Sequence, residues 1–214
     1  MRKDLGRKIL LYPMPAVIVA AYDSEGRTDA LMAAWAGIDD DYRIGICLTA
    51  SHHTSVSLIG RGAVTVSIAD AAHVKEADYL GIVSANKVPD KFARSGLHSH
   101  RSAHVDAPVI DEFPLTFECR VVSHDTIAED TIRVVAEIVN VNADEKVLTD
   151  GKIDIAKLDP LVFDAETRRY MHVGGEIAKA FSVGRSLTES PEKERWTANR
   201  RYSGSSTSSR RTWG

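Results

Sequence analysis

"AVIVAAYDSEGRTDALMAAWAGI", residues 16–38, holds two apolar runs separated by the polar tetrapeptide Asp23-Ser24-Glu25-Gly26. Glycine there supplies the positive φ that a tight reversal needs, so the runs read as the two arms of a β-hairpin. The style continues outward. "RIGICLT" (43–49) and "AVTVSIA" (63–69) are strand-like, and the helical stretch "TSVSLIGR" (54–61) lies between them. In "LTFECRVVS" (115–123), Phe117, Cys119 and Val121 alternate with Glu118 and Arg120; "TIRVVAEIVNVNA" (131–143) and a turn at Asp150-Gly151 follow. Several strands at short spacing with few long helices predict a mainly β protein, a closed or nearly closed antiparallel barrel with short peripheral helices.

The polar stretch 79–113 interrupts this pattern with three histidines and two lysines. It follows "AHVKEADYLGIVS", which reads as a short helix packed on one side, and is expected at the barrel rim, where polar loops carry function. At 214 residues and 43% hydrophobic, the chain suffices for one core of ordinary size, or one core and a small appendage. No apolar run approaches the roughly 18 residues of a membrane helix, and Pro13 and Pro15 break the N-terminal stretch where a signal peptide would be continuous. The reading is cytoplasmic, with no membrane partner. Cys47 and Cys119, each in an apolar run, read as reduced core thiols.

Charge divides the chain. Residues 1–192 carry 21 basic and 29 acidic side chains, whereas 193–214 carry 6 and 1. An acidic body argues against nucleic-acid binding by the barrel, because phosphate neutralisation needs a basic face. Residues 188–214, rich in Ser and Arg and poor in aliphatics, are expected to form a disordered basic tail.

Ser51-His52-His53-Thr54 ends one predicted strand and opens a helix, with Thr54 or Ser55 as the N-cap. Such a junction presents unpaired N–H groups and suits a phosphate. His98, His100 and His104 are dense enough to suggest zinc, but no cysteine lies nearby to complete a closed site, and solvated loop histidines are the favoured reading. Asp39-Asp40-Asp41 lacks the spacing of a calcium loop and is expected in an exposed loop. Neither a nucleophile elbow nor a catalytic-cysteine signature is present, nor a Gly-rich phosphate loop, so no catalytic residue or metal ligand is assigned.

Taken together, "LLYPMPAVIVAAYDSEGRTDALMAAWAGI" (10–38), "HVKEADYLGIVSANKVPDKFARSGLHS" (73–99), "VDAPVIDEFPLTFECRVV" (105–122), "AEIVNVNADEKVLTDGKID" (136–154) and "GEIAKAFSVGRSL" (175–187) resemble the flavin reductase-like, FMN-binding split-barrel family, in its flavoredoxin-like branch. The resemblance runs in order through residues 1–187, which are taken as the domain. It implies a six-stranded split barrel, a homodimer, and non-covalent FMN near the subunit interface. The function implied is an oxidoreductase in which NAD(P)H delivers a hydride to flavin N5. The alternatives are a flavoredoxin-type electron carrier serving a redox protein partner, and a split barrel that binds flavin without turnover.

By the same resemblance, Ala33, Ala34 and Trp35, with Ala36 and Gly37 beyond, lie along the flavin ring. The phosphate seat falls on Leu48, Thr49, His52, His53 and Thr54. A rim loop falls on Ser84, Ala85, Asn86 and Lys87. Many relatives carry Arg in the stretch matching 49–53 and Gly at the position of Ala85, so the phosphate is expected to lean on Thr54, His52 and Lys87. Lys87 would supply the cation, with three donors, where a neutral His supplies one N–H.

Overall fold

The hairpin at the start of the chain forms. In the computed structural model, which describes residues 1–187, a two-residue strand β1 (Met14–Pro15) leads into β2 (Val17–Tyr22). β2 pairs antiparallel with β3 (Thr28–Ala33) from Val17↔Ala33 to Tyr22↔Thr28, and Gly26 turns between them with φ of 80°. The tail expected at 188–214 lies outside the described residues. One compact unit spans Met1–Val173; the second begins at Gly174, and its described residues include a 3-10 turn over Val183–Leu187.

The remaining elements follow as β4 (Ala36–Asp40), β5 (Arg43–Thr49), α1 (His53–Arg61), β6 (Ala63–Ile68), α2 (Val74–Ile82) and α3 (Lys91–Ser95). Then come β7 (Ser99–Arg101), β8 (Pro108–Ile110), the long hairpin of β9 (Leu115–Ala128) and β10 (Thr131–Ala143), and a short pair β11 (Leu148–Thr149) and β12 (Lys152–Ile153). α4 (Ile155–Leu158), β13 (Leu161–Asp164) and β14 (Arg169–His172) complete the unit. The main sheet runs β3-β2-β6-β9-β10-β5-β4. Its two ends are consecutive in the chain: β3 passes through Ala34-Trp35 into β4. Counted as one bent strand, β3 and β4 close a barrel of six strands, and the break at Ala34-Trp35 is the split. The sequence reads 29–38 as a single run; the structure bends it there, where the Trp35 carbonyl accepts from the Cys47 amide at 2.8 Å.

β2 is apolar throughout because both its faces are covered. Side chains alternate across a strand, so Val17, Val19 and Ala21 enter the barrel core with Ile46, Val66 and Val134. Ile18 and Ala20 instead join a second cluster with Ala77 and Leu80 of α2. α2 therefore packs on the outside of β2 and β3. Helix α1 ends on Gly62, whose φ of 65° lets its amide reach the Leu58 and Ile59 carbonyls, an αL cap that only glycine adopts without strain.

Four expectations change. Stretch 79–113 is more regular than a rim loop, since it contains α3 and the β7–β8 pair. Glu118 is buried, because the 102–107 loop covers the face it occupies: the carboxylate accepts from the Ser102 hydroxyl and from Asn140 Nδ2 at 2.7 Å. Asp39 and Asp40 belong to β4, where Arg133 and Arg43 neutralise them. Cys119 is a core thiol, pushed up to about 12 by burial, but Cys47 is only half-buried. Among the described residues no helix is long and apolar enough to cross a membrane.

Candidate functional site

The split opens onto a cavity of about 800 Å³, within the range of about 300–1,000 Å³ typical of small-molecule sites. β3 and the bend contribute Ala33, Ala34 and Trp35; β5 contributes Cys47, Leu48 and Thr49. Trp35 is 50% exposed, a large apolar ring left uncovered beside two alanines. α2 closes one side with Gly81 and Ile82. A Cβ on Gly81 would stand 3.2 Å from Met32 Cε, so glycine permits the close approach of α2 to β3.

The outer wall comes from the N-terminal segment and the β13–β14 hairpin. Lys8, Ile9 and Leu10 face Phe163, Glu166 and Tyr170 across the opening. Two latches join these pieces: the Lys8 ammonium pairs with Glu166, and the Tyr12 hydroxyl donates to Asp164. The hairpin is tied to α2 by Tyr170, whose hydroxyl donates to Asp78 Oδ1 at 2.6 Å; burial first, and then that acceptor, raise the phenol above its ordinary value.

A smaller lobe of about 130 Å³ adjoins the first and shares His52, Gly81 and Ile82 with it. It lies at the start of α1 and is also lined by His53, Thr54, Ser84, Ala85 and Lys91. The N-cap expectation is corrected here: His52 takes the cap position with no side-chain cap bond. Thr54 is 1% exposed and its hydroxyl donates to Asp29 Oδ2 at 2.6 Å, while the Ser55 hydroxyl donates to the Thr49 carbonyl at 2.8 Å. Both hydroxyls are buried, so each is held by an acceptor inside the fold rather than by the helix end. In consequence the amides of His53, Thr54 and Ser55 donate to no acceptor among the described residues. Three orphan N–H groups at the positive end of a helix dipole form a seat for an anion.

Beneath that seat lies a buried ion pair. Lys91, 3% exposed, holds its ammonium 3.6 Å from Asp29 Oδ1 and donates to the Val83 carbonyl at 3.0 Å and the Leu80 carbonyl at 3.4 Å. Burial lowers the lysine pKa, against the pull of Asp29. Asp29 Oδ1 has no hydrogen-bond partner, while Oδ2 accepts from Thr54 and faces His53 Nδ1 at 3.0 Å. One carboxylate thus orients the first turn of α1 and anchors the lysine of α3.

Ten of the twelve residues expected from sequence line the two lobes. The other two do not. Asn86 is exposed and donates through Nδ2 to the Ser51 carbonyl at 2.9 Å, stapling the 84–87 loop to the β5–α1 junction. Lys87 is exposed and lines neither lobe. The lysine that the structure brings to the small lobe is Lys91, four residues on. Sequence reading missed Asp29, although a charge inside the apolar run "DALMAAW" is itself a signal, since a buried carboxylate needs partners. It also missed Cys47, Phe163 and Tyr170, which only the folded chain assembles. His98 and His100 face Glu112 and Asp111, at 2.8 Å and 2.5 Å.

These residues fit FMN. An apolar slot with a half-exposed Trp and small neighbours suits a planar ring, and three orphan amides beside Lys91 suit its phosphate. The chain matches the family of the flavin reductase like domain over residues 9–172. Flavoredoxin of Desulfovibrio vulgaris (Miyazaki F) is 41% identical; the match covers 86% of this chain and 100% of that one, with a TM-score of 0.80. Flavoredoxin from Methanosarcina acetivorans is 27% identical, with 87% and 99% covered and a TM-score of 0.79. Nitrilotriacetate monooxygenase component B from Bacillus cereus, at 18% identity, 79% and 88% coverage and a TM-score of 0.69, shares the fold. A search of curated proteins gives no match. The six-stranded closure at Ala34-Trp35, the match over residues 9–172 and the likeness to two flavoredoxins agree: this chain belongs to the flavin reductase-like, FMN-binding split-barrel family.

Proposed function

We propose that this chain binds FMN without a covalent bond and acts as an NAD(P)H-dependent flavin reductase. The observation that carries the reading is the pair of adjoining lobes: a slot lined by Ala33, Ala34 and Trp35 lies beside a lobe lined by His52, His53 and Thr54 at the start of α1, where the first-turn amides have no acceptor among the described residues. Leu48, Thr49 and His52 line the ring side, and Ser84 and Ala85 the phosphate side. Bound FMN would supply the redox chemistry, accepting a hydride from NAD(P)H and a proton from solvent as NAD(P)+ forms. The chain's part is to orient the ring, hold the phosphate and exclude water behind the N-terminal segment and the β13–β14 hairpin. No side-chain acid or base is required.

A second reading, electron carriage to a redox protein, is supported by the 41% identity to a flavoredoxin. A cytoplasmic homodimer is proposed for either. Exposed Ile38, Val122, Ile127, Val139 and Val141 on β4, β9 and β10 support a partner surface, and analytical ultracentrifugation tests it.

Titration with FMN and riboflavin, followed by flavin fluorescence, tests the site. Because charge-assisted hydrogen bonds contribute about 1.5–3 kcal/mol, FMN is expected to bind about ten- to a hundredfold more tightly. Equal affinities overturn the phosphate seat, and failure of both to bind overturns the flavin reading. Anaerobic stopped-flow mixing with NADH and NADPH separates reductase from carrier.

A further inference from the structure

Four charged side chains line the large lobe: Lys8, Asp78, Glu166 and Arg168. Three are committed, Lys8 to Glu166 and Asp78 to the Tyr170 hydroxyl. Arg168 has no hydrogen bond or ion pair among the described residues.

Its backbone is also unusual. Arg168 has φ of 56°, the left-handed conformation that costs a residue with a Cβ more than it costs glycine. The turn that imposes it is well braced: Asp164 accepts from the Glu166 amide at 3.0 Å, the Thr167 amide at 3.4 Å, and the Thr167 and Tyr12 hydroxyls. A position suited to glycine thus carries the longest cationic side chain, on a rigid turn at the lobe. Strained positions of this kind cluster where a ligand is clamped.

The phosphate of FMN does not account for this cation. FMN carries one phosphate, whose seat is the start of α1 in the small lobe, and the β13–β14 hairpin does not line that lobe. With the FMN phosphate seated elsewhere, Arg168 is available to an anion of a second molecule. On a chain with 30 acidic and 27 basic residues, an anionic substrate needs a local cation to approach. The guanidinium fork, planar and permanently charged, matches a phosphate through two parallel hydrogen bonds.

We infer that Arg168 receives a phosphate of the nicotinamide dinucleotide, either the 2′-phosphate of NADPH or the pyrophosphate common to NADPH and NADH. This rests on the reductase reading. The residue sets affinity for the electron donor and stands apart from the phosphate seat of FMN in the small lobe.

The test uses the full chain loaded with FMN, as wild type, Arg168→Ala and Arg168→Lys. KM and kcat are measured with NADPH and NADH, FMN affinity is measured separately, and adenosine 2′,5′-bisphosphate and AMP serve as competitive inhibitors. Loss of the charge-assisted bonds is expected to raise KM about ten- to a hundredfold in Arg168→Ala, with kcat and FMN affinity unchanged and partial recovery in Arg168→Lys. A rise confined to NADPH, with weaker inhibition by the bisphosphate alone, assigns the 2′-phosphate. An equal rise for both assigns the pyrophosphate. If wild type turns over either dinucleotide and Arg168→Ala matches it, the inference falls and the reductase reading stands. If wild type turns over neither, both fall. A defect confined to electron exchange with an acidic carrier protein also overturns the inference and gives Arg168 to a protein partner.

Discussion

The small lobe and the outer wall of the large lobe are charged by opposite means. At the small lobe the charges are inside: Asp29 and Lys91 are both almost wholly buried, and each holds the other and a helix end in place. At the outer wall the charges are in water, with Lys8 and Glu166 each more than two-fifths exposed. Buried charges are expensive to desolvate and persist only with partners, so their geometry is fixed before any ligand arrives. Exposed pairs contribute about 0–1 kcal/mol and exchange partners freely. The difference fits the two proposals, a resident phosphate at the end whose charges are buried and a visiting anion at the end whose charges stand in water.

The largest expected effect breaks the fixed end. Asp29→Ala leaves Lys91 buried without its counter-charge and deprives Thr54 of its acceptor, so urea unfolding is expected to show a loss of about 3–5 kcal/mol. Replacing the pair together, Asp29→Leu with Lys91→Met, should restore most of that stability, because an apolar pair avoids the desolvation cost. A single variant as stable as wild type would mean that the pair is not an ion pair.

The same double variant sharpens the contrast on the ligand side. It is expected to bind FMN about ten- to a hundredfold more weakly while riboflavin affinity changes much less. Lys87→Ala, in contrast, removes an exposed cation and should change FMN affinity by a few-fold, about 0–1 kcal/mol. A large loss in Lys87→Ala with none in the double variant would return the phosphate to the 84–87 loop.

The smallest effect concerns the outer wall and is a matter of pH. Hydrogen bonds from Thr167 and Tyr12 hold the Asp164 carboxyl down to about 2, below its ordinary value of 3.8. A depressed carboxyl stabilises the fold fully above its ordinary pKa, and that contribution is lost as pH falls through the lowered one. Between about pH 5 and about pH 2, protection of the Glu166 and Thr167 amides, measured as exchange relative to the intrinsic rate at each pH, should therefore fall in wild type, while Asp164→Asn, already without the carboxylate, shows no such step. An identical profile in both would detach the turn from Asp164.

Much of the fold was legible. Alternation in "LTFECRVVS" and the glycine of the Asp23–Gly26 turn are local signals, set by side-chain direction and allowed φ, and both strands and hairpin follow from them. The junction at residues 51–54 announced a helix start, and ten of the twelve expected site residues line the joined lobes. The choice of lysine was not legible, because Lys87 and Lys91 differ in sequence by little more than position.

The sequence by itself determined the strand pattern, the family resemblance and the place of a helix N-terminus, since each depends on neighbours along the chain. Only the tertiary structure decided that β3 and β4 close the barrel by bending at Ala34-Trp35, and that Asp29 meets Lys91. It also decided that Thr54 turns inward and that Arg168 lines the large lobe. The physical reason is that periodicity tells which face of a segment is buried and is silent about what buries it. A buried charge finds its partner through packing between segments far apart in the chain, and no local pattern records that meeting.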